Sequence, residues 1–117
     1  MSQNVVVEKS YAFALRIVRV YRYLCDEKNE YVMSRKLLNV GTDIGAHVKS
    51  AQEAESKPGF IQEMSLALQY ASQTEYWLQL LHDAECLDDN GYTSLQTDCL
   101  ELIKVLTAIV KSAKGMR

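Results

Sequence analysis

The sequence predicts an all-α protein, an up-down-up-down antiparallel four-helix bundle. Apolar residues recur at three- and four-residue steps through four long stretches, and the breaks between those stretches are short. One proline and five glycines in 117 residues are too few to punctuate a many-turned β-sandwich. The length suits a single domain over 1–117, and 48% hydrophobic against 24% charged residues is the balance of a globular chain.

The first helix is expected over 5–26. Phe13, Ile17, Val20 and Leu24 form its core stripe. Tyr11, Ala14, Val18, Tyr21 and Cys25 widen the apolar arc to about half the circumference, against the ~100° that a core-facing stripe needs. The polar cluster Asp26-Glu27-Lys28-Asn29 ends it, and Asn29 is expected to cap a second helix over 30–54. That helix carries one narrow stripe: Met33, Leu37, Val40, Ile44, Val48 and Ala51.

Ser56-Lys57-Pro58-Gly59 offers a serine N-cap and a first-turn proline for a third helix over 57–86. Phe60, Met64, Ala67, Ala71 and Leu78 make its core stripe, while Leu66, Tyr70, Trp77 and Ala84 line a second face with Leu80 at its edge. The turn Asp88-Asp89-Asn90-Gly91 follows, and Thr93-Ser94-Leu95-Gln96 has capping-box spacing for a fourth helix over 94–114. Leu95, Cys99, Leu102, Leu106, Ile109 and Ala113 form its stripe.

A second apolar face on a bundle helix is covered by the chain's own loops and termini or by another molecule. The loops here are short, so self-association is expected. The face would join Leu66, Tyr70, Trp77 and Leu80 of the third helix with Tyr11 and Val18 of the broad first helix, since Trp and Tyr are favoured at subunit contacts.

Thirteen Lys and Arg against fifteen acids give a net charge of −2, which leaves nucleic-acid binding to a local patch. One strip qualifies. Arg16, Arg19 and Arg22 recur every three residues opposite the first helix's core stripe, with Tyr23 alongside to stack on a base. The plainer alternative is a solvated face balanced by acids of a neighbouring helix. Glu55, Glu63, Glu75, Asp83 and Glu85 lie around a single Lys57, so basic and acidic sides can also pair between subunits.

No catalytic, cofactor-binding or metal-binding residues are expected. Cys25, Cys86 and Cys99 are odd in number and lack C-x-x-C spacing, which points to reduced, packed thiols. Gln79 and Ile44 stand three residues before His82 and His47, where a di-iron bundle needs glutamates. A His47, Glu75, His82 metal site would form only if the second and third helices pack in that register; the alternative is hydrogen-bonded or capping histidines. Neither a G-x-S-x-G elbow nor a phosphate-binding loop occurs, and Asp88-Asp89-Asn90-Gly91 lacks calcium-loop spacing. Cys86 lies near a helix C-terminus, whose dipole raises a thiol pKa. No apolar run approaches the ~20 residues of a membrane span, and the N-terminal residues lack a signal peptide's apolar block, so a cytoplasmic protein without membrane contact is expected.

Three segments occur in a telling order and spacing: Gly41-Thr42-Asp43-Ile44-Gly45-Ala46-His47-Val48, Ser56-Lys57-Pro58-Gly59-Phe60 and Thr74-Glu75-Tyr76-Trp77-Leu78. From about Tyr11 to Lys114 the chain resembles the four-helix-bundle family encoded in 23S ribosomal RNA intervening sequences. It is distantly like the accessory variability determinant of diversity-generating retroelements. The resemblance implies bacterial origin, a ring-like homo-oligomer (a pentamer) and no catalysis. The retroelement relative binds nucleic acid and a reverse transcriptase, but it is strongly basic and this chain is not.

The polar signature departs from the family's. Asp43 stands where serine is usual, His47 where asparagine is, Ser50 for glutamate and Gly59 for aspartate, and Gln69, Tyr70 and Gln73 fall in a run that is commonly Lys-Glu-x-x-Glu. The expected function is therefore a non-enzymatic homo-oligomeric scaffold that docks a protein partner. Direct RNA or DNA binding through Arg16, Arg19, Arg22 and Tyr23 is the alternative.

Overall fold

The computed structural model describes residues 2–115 and contains four helices: α1 (Ser2–Lys28), α2 (Met33–Gln52), α3 (Lys57–Asp83) and α4 (Asp89–Ala113). Each packs on two neighbours. α1 and α3 both contact α2 and α4, and α1 faces α3 across the diagonal of the bundle. The extents, 44 × 24 × 20 Å, match helices of 25 to 27 residues lying side by side at ~1.5 Å per residue.

The core is built from the stripes. Phe13, Ile17 and Leu24 of α1, Leu37, Ile44 and Val48 of α2, Met64 and Leu78 of α3, and Leu95, Leu102 and Leu106 of α4 are all buried. Burying such side chains contributes about 1.5–3 kcal/mol each. Val6 and Leu81 join them from outside the expected stripes, and Val110 rather than Ala113 closes the last turn of α4. No helix of the described residues is long and apolar enough to cross a membrane.

The helix ends correct several expectations. α1 runs through Asp26 and Glu27 to Lys28, and Asn29 (φ 53°) then reverses the chain in the left-handed conformation that a short polar side chain tolerates. Asn29 therefore does not cap α2. The Glu30 carboxylate does so instead, accepting from the N–H groups of Val32 (3.2 Å), Met33 (3.0 Å) and Ser34 (2.7 Å). Burial pulls the Glu30 carboxyl upward, but these donors outweigh it and hold the carboxyl below its ordinary value. α2 begins at Met33, later than expected, and its last turn closes at Gln52, two residues before Ala54.

α3 starts as expected. The Ser56 hydroxyl accepts from the Gly59 N–H at 3.1 Å, with Pro58 in the first turn. It stops at Asp83 rather than residue 86. Glu85 takes φ 66°, its N–H donates to His82 O (3.0 Å), and the Cys86 N–H donates to Leu81 O (2.8 Å), the paired bonds of a Schellman motif.

α4 begins at Asp89, a full turn before residue 94, because Asp88 rather than Thr93 caps it. Asp88 Oδ1 accepts from the Gly91 N–H at 2.7 Å, and Asp89 in the first turn suits the positive end of the helix dipole. Thr93 lies inside the helix, where its carbonyl accepts from the Thr97 hydroxyl.

Candidate interaction surfaces

The α3 face expected for self-association is partly covered within the chain. Leu66, Tyr70, Trp77 and Leu80 are half-buried, and Tyr70 and Trp77 pack against the core. The Tyr70 ring stacks on His47 of α2, with centroids 5.2 Å apart and planes 9° from parallel. The exposed aromatic of this helix is Tyr76, 58% exposed, whose ring meets Trp77 edge-on at 5.1 Å. On α1, Tyr11 is 67% exposed and Leu15 42%, while Val18 is half-buried. Sequence reasoning missed Tyr76 and Leu15 because both lie outside the apolar stripes; an aromatic on the face opposite the core was the available signal for Tyr76.

Beside Tyr11 a groove of about 600 Å³ runs between α1 and α2. Ala14, Gly45 and Ala46 are among its lining residues, so side chains there are small or missing. Two of its hydroxyls are engaged within their own helices: Ser10 donates to Val7 O (3.2 Å) and Thr42 donates to Leu38 O (2.7 Å). Tyr11, Lys49 and Gln52 bring polar ends to the same lining, beside the apolar Val7 and Val48.

The arginine strip is divided. Arg16 Nη1 lies 2.6 Å from Asp98 Oδ2, and Nη2 donates to Ser94 Oγ at 2.8 Å, so Arg16 ties α1 to α4. Lys9 and Glu101 add a second bridge at 3.1 Å. Arg19 and Arg22 are exposed, and among the described residues no carboxylate forms an ion pair with either. Tyr23, also exposed, lines a shallow cavity with Arg16 and Arg19.

The helix register separates the two histidines. His47 Nδ1 lies 2.7 Å from Glu63 Oε1, and Glu75 stands about three turns further along α3, ~18 Å at 1.5 Å per residue. His82 is at the other end, with Nε2 2.7 Å from Asp89 Oδ1, Nδ1 3.5 Å from Asp83 Oδ1, and its ring stacked on Tyr92 at 4.2 Å. The hydrogen bond to Asp89 raises the His82 pKa above its ordinary value, against a smaller opposing effect of desolvation. His47, Glu75 and His82 are thus not brought together. Among the described residues no group of three or more His, Cys, Asp or Glu is placed to hold a metal ion.

Cys99 is buried, donates to Ala71 O at 3.3 Å, and is pushed up to about 12 by burial and the nearby Glu75 charge. Cys25 and Cys86 are half-buried and unpaired. Of the altered polar positions, Asp43 is half-buried, and Ser50, Gln69 and Gln73 are exposed. Gly59 supplies the N–H that Ser56 caps. His47 and Tyr70, both altered, touch each other across the α2–α3 seam.

Charge is segregated by helix. α1 carries five cations and three acids, and α2 three cations and one acid. α3 carries one cation and three acids, α4 two and three, and the turn between them adds Glu85 and Asp88. These features define a four-helix bundle with a basic half, an acidic half and exposed aromatics on each, whose chemistry lies on its surface.

The model of the family described as 23S rRNA-intervening sequence protein matches residues 2–108, and the chain belongs to that family. A crystal structure at 1.70 Å of a protein with unknown function, from the S23 ribosomal protein family of Bacteroides thetaiotaomicron VPI-5482, is similar at 43% sequence identity. The match covers 95% of this chain and 99% of that one, with a TM-score of 0.94. None of the curated proteins matches the sequence.

Proposed function

We propose that this protein is a non-enzymatic scaffold that associates with copies of itself and docks a protein partner on the assembled surface. One observation carries the reading: the exposed aromatics sit on two unlike surfaces of opposite charge balance, Tyr11 on basic α1 and Tyr76 on acidic α3. Two unlike complementary patches mate either reciprocally across a two-fold axis or head to tail, and a head-to-tail contact forms a ring where its rotation closes. The pentamer implied by the family resemblance is one such closure. The unpaired thiols suit the reducing cytoplasm.

Sedimentation equilibrium at about 50 mM and about 500 mM salt tests the assembly, since exposed charges are screened strongly at the higher value. A mass of several protomers that dissociates more readily at high salt is expected. A monomer under both conditions refutes the proposal.

Direct nucleic-acid binding is retained as a second reading because Arg19 and Arg22 have no ion-pair partner among the described residues and exposed Tyr23 lines a cavity with Arg19. A ring would repeat this weak contact and strengthen it. Fluorescence anisotropy with a single-stranded RNA should then report salt-sensitive binding that Arg19→Gln with Arg22→Gln abolishes. Absence of binding at low salt removes this reading.

A further inference from the structure

We infer that Asn90 is a self-modification site, at which the backbone nitrogen of Gly91 closes on the Asn90 side chain and converts it to an acid. Asparagine is thermolabile, and the reaction is limited by how freely the next residue lets its nitrogen reach the side-chain carbon. Of the four asparagines in the chain, Asn4 and Asn39 precede valine, whose branched Cβ crowds that approach, and Asn29 precedes glutamate. Asn90 alone precedes glycine, and it is exposed.

The packing of the α4 cap explains the glycine. Asp88 Oδ1 accepts from the Gly91 N–H at 2.7 Å, and a Cβ at 91 would stand only 3.1 Å from that oxygen. A bare Cα lets the cap close, and the same bare Cα leaves Asn90 open to its neighbour. The cap also restrains the reaction. With the Gly91 N–H directed at Asp88 and the Tyr92 N–H donating to Asp88 O at 2.9 Å, the backbone at 90 is held in the helical turn, away from the geometry of ring closure. Attack therefore follows opening of this turn, and helix ends open far more often than cores.

In the step itself the Gly91 nitrogen gives up its proton and bonds to Asn90 Cγ. The Cγ–Nδ2 bond breaks, and the side-chain nitrogen leaves as ammonia with that proton. Water then opens the cyclic imide at either carbonyl. One product is aspartate at 90, a further carboxylate beside Asp88 and Asp89 at the positive end of the α4 dipole. The other is isoaspartate, which lengthens the main chain by a methylene between the Asp88 cap and Tyr92, the residue stacked on His82.

The test follows the chemistry by mass. Folded protein is held at mildly alkaline pH and digested at intervals, and mass spectrometry with fragmentation distinguishes asparagine, aspartate and isoaspartate at each site. Conversion at Asn90 about tenfold or more ahead of Asn29 and Asn39 is expected, with none at position 90 in Asn90→Gln, whose longer side chain closes the ring poorly. Asp88→Ala should react about tenfold faster, the increase in opening that loss of one N-cap brings, while Asp88→Ser keeps a capping oxygen and stays near the wild-type rate. Circular dichroism checks that both variants are folded, and the wild-type chain in urea, where no cap exists, should react fastest. An Asn90 that converts no faster than Asn29 and Asn39 in the folded protein overturns the site. Conversion that is unchanged or slower in folded Asp88→Ala, or no faster in urea, overturns the restraint by the cap.

Discussion

Gly41 of α2 lies against Ile17 of α1 so closely that a Cβ at position 41 would stand 2.9 Å from Ile17 Cγ1 and 3.0 Å from Cγ2. One turn later Gly45 faces Ser10, where an added Cβ would meet the backbone oxygen at an ordinary 3.4 Å. The small-residue run of α2 is thus a crossing point between helices. Ile17 is fully buried, and the missing side chain at 41 is what lets α1 come near enough to bury it.

Gly41→Ala and Gly45→Ala should therefore diverge. At 41 the overpacking cost of about 1–3 kcal/mol outweighs the ~1 kcal/mol that alanine gains in a helix interior. At 45 the propensity gain should leave stability equal or slightly raised. Urea denaturation measures both. Ile17→Val should cost less in the Gly41→Ala background than in the wild type, because the smaller side chain can turn aside. If Gly41→Ala matches the wild type, the α1–α2 approach is not set by this contact.

Glu85 occupies the left-handed position that ends α3, at φ 66°. A residue with a Cβ there is strained by about 1–2 kcal/mol, which the greater freedom of glycine in the unfolded chain offsets only in part. Glu85→Gly should raise stability by about 0.5–1 kcal/mol in thermal or urea unfolding. Asn29→Gly should gain less, since asparagine already tolerates its φ of 53°. A destabilised Glu85→Gly would show that the Glu85 side chain makes a contribution greater than the strain.

His82 gives the α3–α4 hairpin a pH dependence of definite sign. Its pKa is raised in the fold, first by the hydrogen bond to Asp89, so its contribution is complete below the ordinary value of 6.5 and is lost as pH rises through the folded value. Neutral imidazole has one N–H and keeps one of its two carboxylate bonds at most. The NMR titration midpoint of His82 should lie above 6.5 in the wild type and fall toward it in Asp89→Asn. Equal midpoints in the two proteins would place the cause elsewhere.

The fold was legible because each core stripe is a local pattern: Leu37-Ile44-Val48 and Leu95-Leu102-Leu106 bury themselves as their spacing requires. Helix ends were less so, since they depend on which of several capping groups wins. Glu30 displaced Asn29 and Asp88 displaced Thr93, and both winners are acidic side chains that accept backbone N–H bonds of the first turn. The surface was the least legible. Arg16 is neutralised by Asp98, 82 residues away, and Tyr70 is covered by His47 from another helix. No spacing within one helix reports such partners. Tyr76 escaped notice for the converse reason, an apolar side chain at a position the helical pattern assigns to water.

The cysteines should separate by reactivity. The thiolate is the nucleophile, and Cys99, pushed up to about 12 by burial and then by Glu75, has about one thiolate in 10⁴ at pH 8. It is also enclosed, with its S–H directed to Ala71 O. Cys25 and Cys86 are half-buried and should react first with an aromatic disulfide reagent, while Cys99 follows only at the rate of global opening. Mass spectrometry of the partly labelled protein distinguishes the three sites. The raised pKa has a further consequence for the fold: its stabilising contribution is complete below the ordinary 9.0 and is lost as pH rises toward about 12. Cys99→Ala, which removes the titrating group, should flatten the alkaline decline in stability over that range at the cost of one buried hydrogen bond, about 1 kcal/mol at neutral pH. Fast labelling of Cys99 in the native protein, or an alkaline decline unchanged in Cys99→Ala, would contradict this account of the α3–α4 seam.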